Sequence, residues 1–250
     1  SKVMKILALE SAALTASAAV YEDEHLLGET LLNNGHTHSE TLLPMAEALL
    51  GSLGLTAADI DLFAVSAGPG SFTGVRIGVA TAKGLAFGSG KPCIGVSTLE
   101  ALACNLPIPG GLICPAMNAR RGQVYTALFR GRAATDTQLT PERLMPDSAI
   151  PISELDAILK RYDEPVYLCG DGYELCAAGL HHPIGNTPDR LRWQSAASVA
   201  RAALAAYRAG VRTTDAELKP IYLRPCQAER ERMAREQAAQ ATDAHGMHSR

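Results

Sequence analysis

Apolar positions along the chain fall into short runs of two different periods. Residues 5–10, 15–22 and 26–32 read as three consecutive strands separated by turn material, which predicts an antiparallel meander. Leu42, Ala46, Leu49 and Leu53 then recur at steps of four, three and four. That spacing is one face of an α-helix over residues 39–53, widened by Leu43 and Leu50. Ser39 and Thr41 are both placed to cap it, and Pro44 belongs in its first turn. A short apolar strand over 62–67 runs through Gly68-Pro-Gly-Ser-Phe-Thr-Gly74 into a helix over 75–88. A strand at 93–96 and a helix at 98–105 complete a β-β-β-α-β-α-β-α half.

The Pro- and Gly-rich stretch 105–111 is the best linker. Beyond it, 112–117 and 123–129 read as strands around a turn, with a weak third strand near 143–145. An amphipathic helix at 152–162 and a strand at 165–169 follow. An Ala-rich helix at 195–209 stops before Gly210, and a short final strand covers 220–224. The second half thus repeats β-β-(β)-α-β-α. Two such copies predict duplicated α/β lobes, each a mixed sheet covered by helices. The expected division is 4–105 for the first lobe, 106–226 for a smaller second lobe and 227–250 for a charged tail. Acidic and basic residues cancel in the tail, whose composition favours a helix fraying after Thr242.

Composition narrows the function. With 250 residues, 47% of them hydrophobic, the chain builds a core without a disulfide or metal. A net charge of −3 excludes a strongly basic protein that grips nucleic acid alone, so a nucleic-acid role calls for a partner. The six cysteines form no Cys-x-x-Cys pair and read as reduced thiols of a cytoplasmic protein. The apolar run 6–9 ends at Glu10, too short for a secretory segment, and reads as a buried strand. No run reaches the roughly 18 apolar residues of a membrane span.

The loop 68–74 joins a strand to a helix N-terminus, where oxyanions bind. Its G-x-G-x-x-x-G spacing is one residue longer than the dinucleotide fingerprint, and Val75 stands where a Walker loop has Lys. Phosphate binding and a tight turn with positive φ at its glycines both remain open. The following helix carries two small stripes, Gly74–Gly78–Ala82 and Ala80–Gly84. Each interior Gly costs about 1 kcal/mol against Ala, so close approach of another backbone is the physical candidate. That backbone belongs either to the chain's own sheet or to a helix of another subunit. His36 and His38 read as a solvated pair before a helix cap; His181–His182, His245 and His248 offer no built metal set. Ser71 has no evident base. Asp171, between Gly170 and Gly172, is the strongest acid–base candidate, with a polar turn residue as the plainer reading. Arg120 and Arg121 read either as an exposed charged turn or as a contact for phosphate or RNA.

Six segments in order carry a resemblance: Ile6-Leu-Ala-Leu-Glu-Ser11, His38-Ser-Glu-Thr-Leu-Leu-Pro44, Gly68-Pro-Gly-Ser-Phe-Thr-Gly-Val-Arg-Ile-Gly78, Gly95-Val-Ser-Thr-Leu99, Ala119-Arg-Arg-Gly-Gln-Val-Tyr125 and Pro220-Ile-Tyr-Leu-Arg224. Over residues 4–224 the chain resembles the TsaB (YeaZ) family of bacterial accessory proteins of tRNA threonylcarbamoyladenosine synthesis. The resemblance implies an actin-like (ASKHA, RNase H-like) fold of two lobes. It implies a cytoplasmic, non-catalytic scaffold and activator that binds the catalytic paralogue TsaD together with the ATPase TsaE. That assembly transfers threonylcarbamoyl from threonylcarbamoyl-AMP to the adenosine beside the anticodon, in tRNAs reading codons that start with A. ATP and Mg²⁺ are then used by the complex, no cofactor or metal is bound by this chain itself, and tRNA is met through the complex.

The implied docking surface, which would also form a homodimer, maps onto Ser39, Leu42, Leu43, Phe72, Thr73, Val75, Arg76 and Gly78. Glutamate at Val75 or Gly78 is expected to abolish docking without unfolding. A residual nucleotide site would use Glu10, Ser11, Gly170, Asp171 and Gly172. Two positions depart from the family pattern: Glu10, where Asp is common, and Asn118, where Asp precedes Ala-Arg. The alternative is a stand-alone ATP-dependent phosphotransferase or metal-dependent peptidase of the related fold. Against it, residues 97–101 carry no His-x-x-x-His pair. A homodimeric binding module unrelated to tRNA is the third reading.

Overall fold

The computed structural model describes residues 2–35, 40–223 and 227–246; Ser39, His36, His38, Cys226 and His248 lie outside them. The first sheet begins with the expected meander, β1 (Lys5–Glu10), β2 (Ala16–Glu22) and β3 (His25–Leu32). It continues through α1 (Leu42–Ser52), β4 (Leu62–Gly68), α2 (Phe72–Ala86), β5 (Cys93–Ser97) and α3 (Thr98–Ala103). Strand order is β3-β2-β1-β4-β5, with β4 parallel to β1 and β5 parallel to β4.

The second sheet holds β6 (Leu112–Arg120), β7 (Gln123–Arg130) and β8 (Glu142–Pro151), then α4 (Ile152–Leu159), β9 (Val166–Cys169) and α5 (Tyr173–Gly179). Its order is β8-β7-β6-β9, with β9 parallel to β6. The four strands repeat the order and directions of β3-β2-β1-β4. This duplicated mixed sheet is the actin-like (ASKHA, RNase H-like) fold.

One core lies between the first sheet and the helices α1 and α2. Leu7, Leu9, Val20, Phe63 and Val65 from the strands meet Leu42, Met45, Leu49, Val75 and Val79. Each such side chain contributes about 1.5–3 kcal/mol by leaving water. The opposite face of the same sheet is covered by α6 (Ala196–Arg208), whose Ala196, Val199, Ala200 and Ala203 pack on Ile6, Ala8, Leu62 and Ala64. The sequence pattern places this helix in the second repeat, yet it crosses back to the first sheet. Its alanines let the helix lie close to the strands.

Asn105 secures that crossing. Its Nδ2 donates to the carbonyls of Leu191 (3.0 Å) and Trp193 (2.8 Å), and its Oδ1 accepts from the Ser198 hydroxyl. The expected linker therefore starts on a fixed point. Three further elements differ from expectation. β8 is a full ten-residue edge strand, faint in the sequence because most of it is exposed or half-buried. α5 is a seven-residue helix with Cys176 as its buried residue, too short for a period to show in the sequence. Residues 220–223 form no strand; instead the Ile221 amide donates to the Ala67 carbonyl at 2.7 Å. The tail forms α7 (Gln227–Gly246), with Arg232 facing Glu236 and Arg235 facing Glu231. Among the described residues no helix is long and apolar enough to cross a membrane.

Candidate docking face and interlobe cleft

The loop before α2 is organised by the chain's own backbone. Ser71 caps the helix, its Oγ accepting from the Gly74 amide at 3.2 Å, while its own amide donates to the Ala12 carbonyl at 2.8 Å. The Ser11 hydroxyl donates to the Gly74 carbonyl at 2.8 Å. A Cβ added at Gly70 or Gly74 would strike the carbonyl oxygens of Ala12 and Ser11. At Gly78 it would meet Ser11 Oγ at 2.8 Å and Val65 Cγ2 at 3.2 Å. Gly68, at φ +120°, faces the Ile221 carbonyl. These contacts give the small residues a reason within the chain: the Ser11–Ala12 turn stands where side chains at Gly70 and Gly74 would lie, and the stripe Gly74–Gly78–Ala82 faces this chain. Of the loop's three glycines, positive φ is found at Gly68.

Three expected docking residues are corrected accordingly. Leu42, Val75 and Gly78 are buried in the lobe's own core, so they hold the helices up from beneath and offer no surface. A glutamate at Val75 or Gly78 would break the lobe before it reported on docking. Leu43 (42% exposed), Thr73 and Arg76 do lie on the surface, and Phe72 is half-buried. Around them α1 exposes Glu47, Ala48 and Gly51, and α2 exposes Ala80 and Gly84. A Cβ at Gly51 or Gly84 would meet nothing within 4 Å. The sequence reading missed Tyr222. Its hydroxyl accepts from Arg76 Nε at 2.9 Å and its ring lies 5.1 Å from that of Phe72. The motif over 220–224 is the signal that points to it, although its apolar run suggests a strand.

A cleft of about 590 Å³ separates the lobes, lined by Ala12–Leu14 and Gly70–Phe72 on one side and by Met117–Arg121, Tyr125 and Asp171 on the other. Behind the first wall Glu10 is buried, its Oε1 accepting from the Ala12 amide at 2.8 Å. Burial pushes its pKa up to about 7, and the Asp171 charge acts in the same direction. Asp171 accepts from Gln194 Nε2 at 2.7 Å and from the Asn118 amide at 3.3 Å, and burial raises its pKa too. Of the five residues carried over as a nucleotide site, the fold therefore brings Glu10 and Asp171 near each other. Ser11, Gly170 and Gly172 serve the backbone instead. Gly170, at φ +99°, has the Ala116 carbonyl where a Cβ would stand, and the Gly172 amide donates to that carbonyl at 2.9 Å.

The β6–β7 hairpin closes the cleft's outer end. Arg120, Arg121 and Gly122 all lie in the left-handed region, at φ 64°, 55° and 73°. For the two arginines this costs on the order of 1–3 kcal/mol each. Asn118, the family departure, shapes the tip, its Oδ1 accepting from the Arg120 amide at 2.9 Å. Among the described residues no group of three or more His, Cys, Asp or Glu is placed to hold a metal ion. His181 and His182 give their backbone amides to Asp156, both at 3.0 Å. Burial pushes the thiols of Cys93, Cys104 and Cys176 up to about 12, far from nucleophilic.

The family model described as "TsaD: tRNA N6-adenosine threonylcarbamoyltransferase" matches residues 32–225. Duplicated sheets, interlobe cleft and this match make the chain a two-lobed protein of the TsaD type. The Bacillus subtilis (strain 168) "tRNA threonylcarbamoyladenosine biosynthesis protein TsaB" is 35% identical over 182 residues, 73% of this chain and 77% of that protein. The Escherichia coli (strain K12) protein of the same name is 38% identical over 135 residues, 51% of this chain and 55% of that protein. The solved structure of YeaZ from Pseudomonas aeruginosa shares the fold, with a TM-score of 0.73 at 23% identity, covering 88% of this chain and 100% of that one. The chain belongs to the TsaB (YeaZ) family.

Proposed function

We propose that this chain acts in tRNA threonylcarbamoyladenosine biosynthesis as a non-catalytic scaffold and activator. It docks the outer face of α1 and α2 on the catalytic paralogue TsaD, and TsaE joins the same assembly. The observation that carries the reading is the open glycine on each helix, Gly51 and Gly84, beside Ala48 and Ala80. Nothing in the chain's own lobe requires these small residues. A foreign helix can approach them closely, with Leu43 and Phe72 as apolar contacts and Arg76 oriented by Tyr222. A stable contact of this kind covers about 1,000 Å² or more.

Docking activates TsaD by favouring one arrangement of its lobes. A tenfold preference corresponds to about 1.4 kcal/mol of coupling. ATP and Mg²⁺ enter with the partners, and tRNA is met by the assembly. The same face pairs with a second copy when TsaD is absent, so homodimer and heterodimer compete. Titration calorimetry of Ala80→Arg with TsaD tests the reading. At least tenfold weaker binding with an unchanged thermal melt is expected; wild-type affinity in the folded variant overturns it.

A further inference from the structure

Two observations meet at the tip of the β6–β7 hairpin. Arg120 and Arg121 hold left-handed backbone (φ 64° and 55°), which Gly or Asn adopts with far less strain. Arginine stands at both positions against the backbone's preference. Both arginines line the interlobe cleft, and among the described residues neither guanidinium has an ion pair or hydrogen bond. Arg130, Arg143, Arg192 and Arg208, by contrast, each face a carboxylate.

The layout of charge in the cleft selects the ligand. Its wall carries the hydrogen-bonded Asp171, and the Ala12 amide behind the opposite wall is taken by Glu10. A polyphosphate tail directed inward would meet the Asp171 carboxyl group and find the Ala12 amide already taken. An anion is accepted at the rim, on the arginines, with Phe72 and Leu14 as apolar walls across from them. That arrangement fits a phosphodiester strand whose base leans into the cleft mouth better than it fits a nucleoside triphosphate.

We propose that the Arg120–Arg121 tip is an RNA contact, at which the two guanidinium groups receive phosphates of an unpaired strand and a base rests against the exposed Leu14. The proposal rests on the tRNA reading above only for the source of the RNA; the binding itself is a property of this chain. Two phosphate contacts to a single strand give a slope of log K against log salt near −1.4, at about −0.7 per phosphate. Fluorescence anisotropy of the full chain at low salt, with a labelled RNA hairpin carrying an unpaired loop and with ATP as competitor, tests it.

In the variant R120N/R121N the left-handed tip is retained because asparagine tolerates it. Hairpin binding is expected to fall at least tenfold and the salt slope to flatten, while the melting temperature does not drop and TsaD affinity is unchanged. Absence of hairpin binding by the wild-type chain, equal binding by the variant, or displacement of the RNA by ATP at equimolar concentration would overturn the RNA contact. None of these results touches the docking face, which Ala80→Arg tests separately.

Discussion

On its inner side α2 turns Gly74, Gly78 and Ala82 toward the chain; on its outer side it turns Thr73, Arg76, Ala80 and Gly84 to solvent. The two stripes are alike in residue size and opposite in surroundings. Ser11 and Val65 press on the inner glycines, whereas the space above Gly84 is empty. Small size is thus explained from within on one side and left for a partner on the other. The comparison also shows why membership of a family motif is a poor guide to docking. Val75 and Gly78 belong to the motif that marks the family, yet they work below the surface.

The largest effect expected from breaking this comparison is Gly78→Glu. It forces a side chain onto Ser11 and Val65 and buries a carboxylate, so loss of more than about 4 kcal/mol is expected, read as collapse of the cooperative urea transition. A folded variant with near-native stability would contradict the assigned inner face.

The support for that face is next. Glu10 holds the Ala12 amide, and its folded pKa of about 7 stands above the ordinary 4.5. The folded state therefore binds the extra proton. Its stabilisation is complete below pH 4.5 and is lost as pH rises through 7, by about 3 kcal/mol in total. Urea melts from pH 4.5 to 8 should show this decline, and Glu10→Gln should flatten it. A wild-type curve that rises over this range would refute the buried acid.

On the outer side, Ala80→Arg should weaken partner binding by a factor of ten or more, about 1.4 kcal/mol, without moving the melt. The smallest and sharpest case is Gly84→Ala. Removing an exposed helical glycine should stabilise the isolated chain by up to about 1 kcal/mol, read as a higher urea midpoint at constant slope. The same change should weaken docking. Gain of stability with unchanged docking would take Gly84 off the docking face and with it part of the observation that carries the proposed function.

Much of the fold was legible because strands and helices write their periods locally. The meander β1–β3, the stripe of α1 and the Ser71 start of α2 each depend on neighbours a few residues apart. The motifs likewise carried the family, since their residues and order survive without coordinates. What the linear pattern left open were matters of which distant segment lies alongside. The return of α6 to the first sheet depends on Ile6 and Leu62 being free on that face. The approach of Tyr222 to Arg76 spans 146 positions. The proximity of Glu10 and Asp171 exists only once the lobes face each other across the cleft. The same holds for the left-handed arginines, since a turn composition allows several backbone states and the β6–β7 register selects one. Period and motif are properties of adjacent residues, so the chain alone determined its elements and its family. Occupancy of a face is a property of whatever else reaches it, so the inner and outer sides of α2 were decided only by tertiary packing.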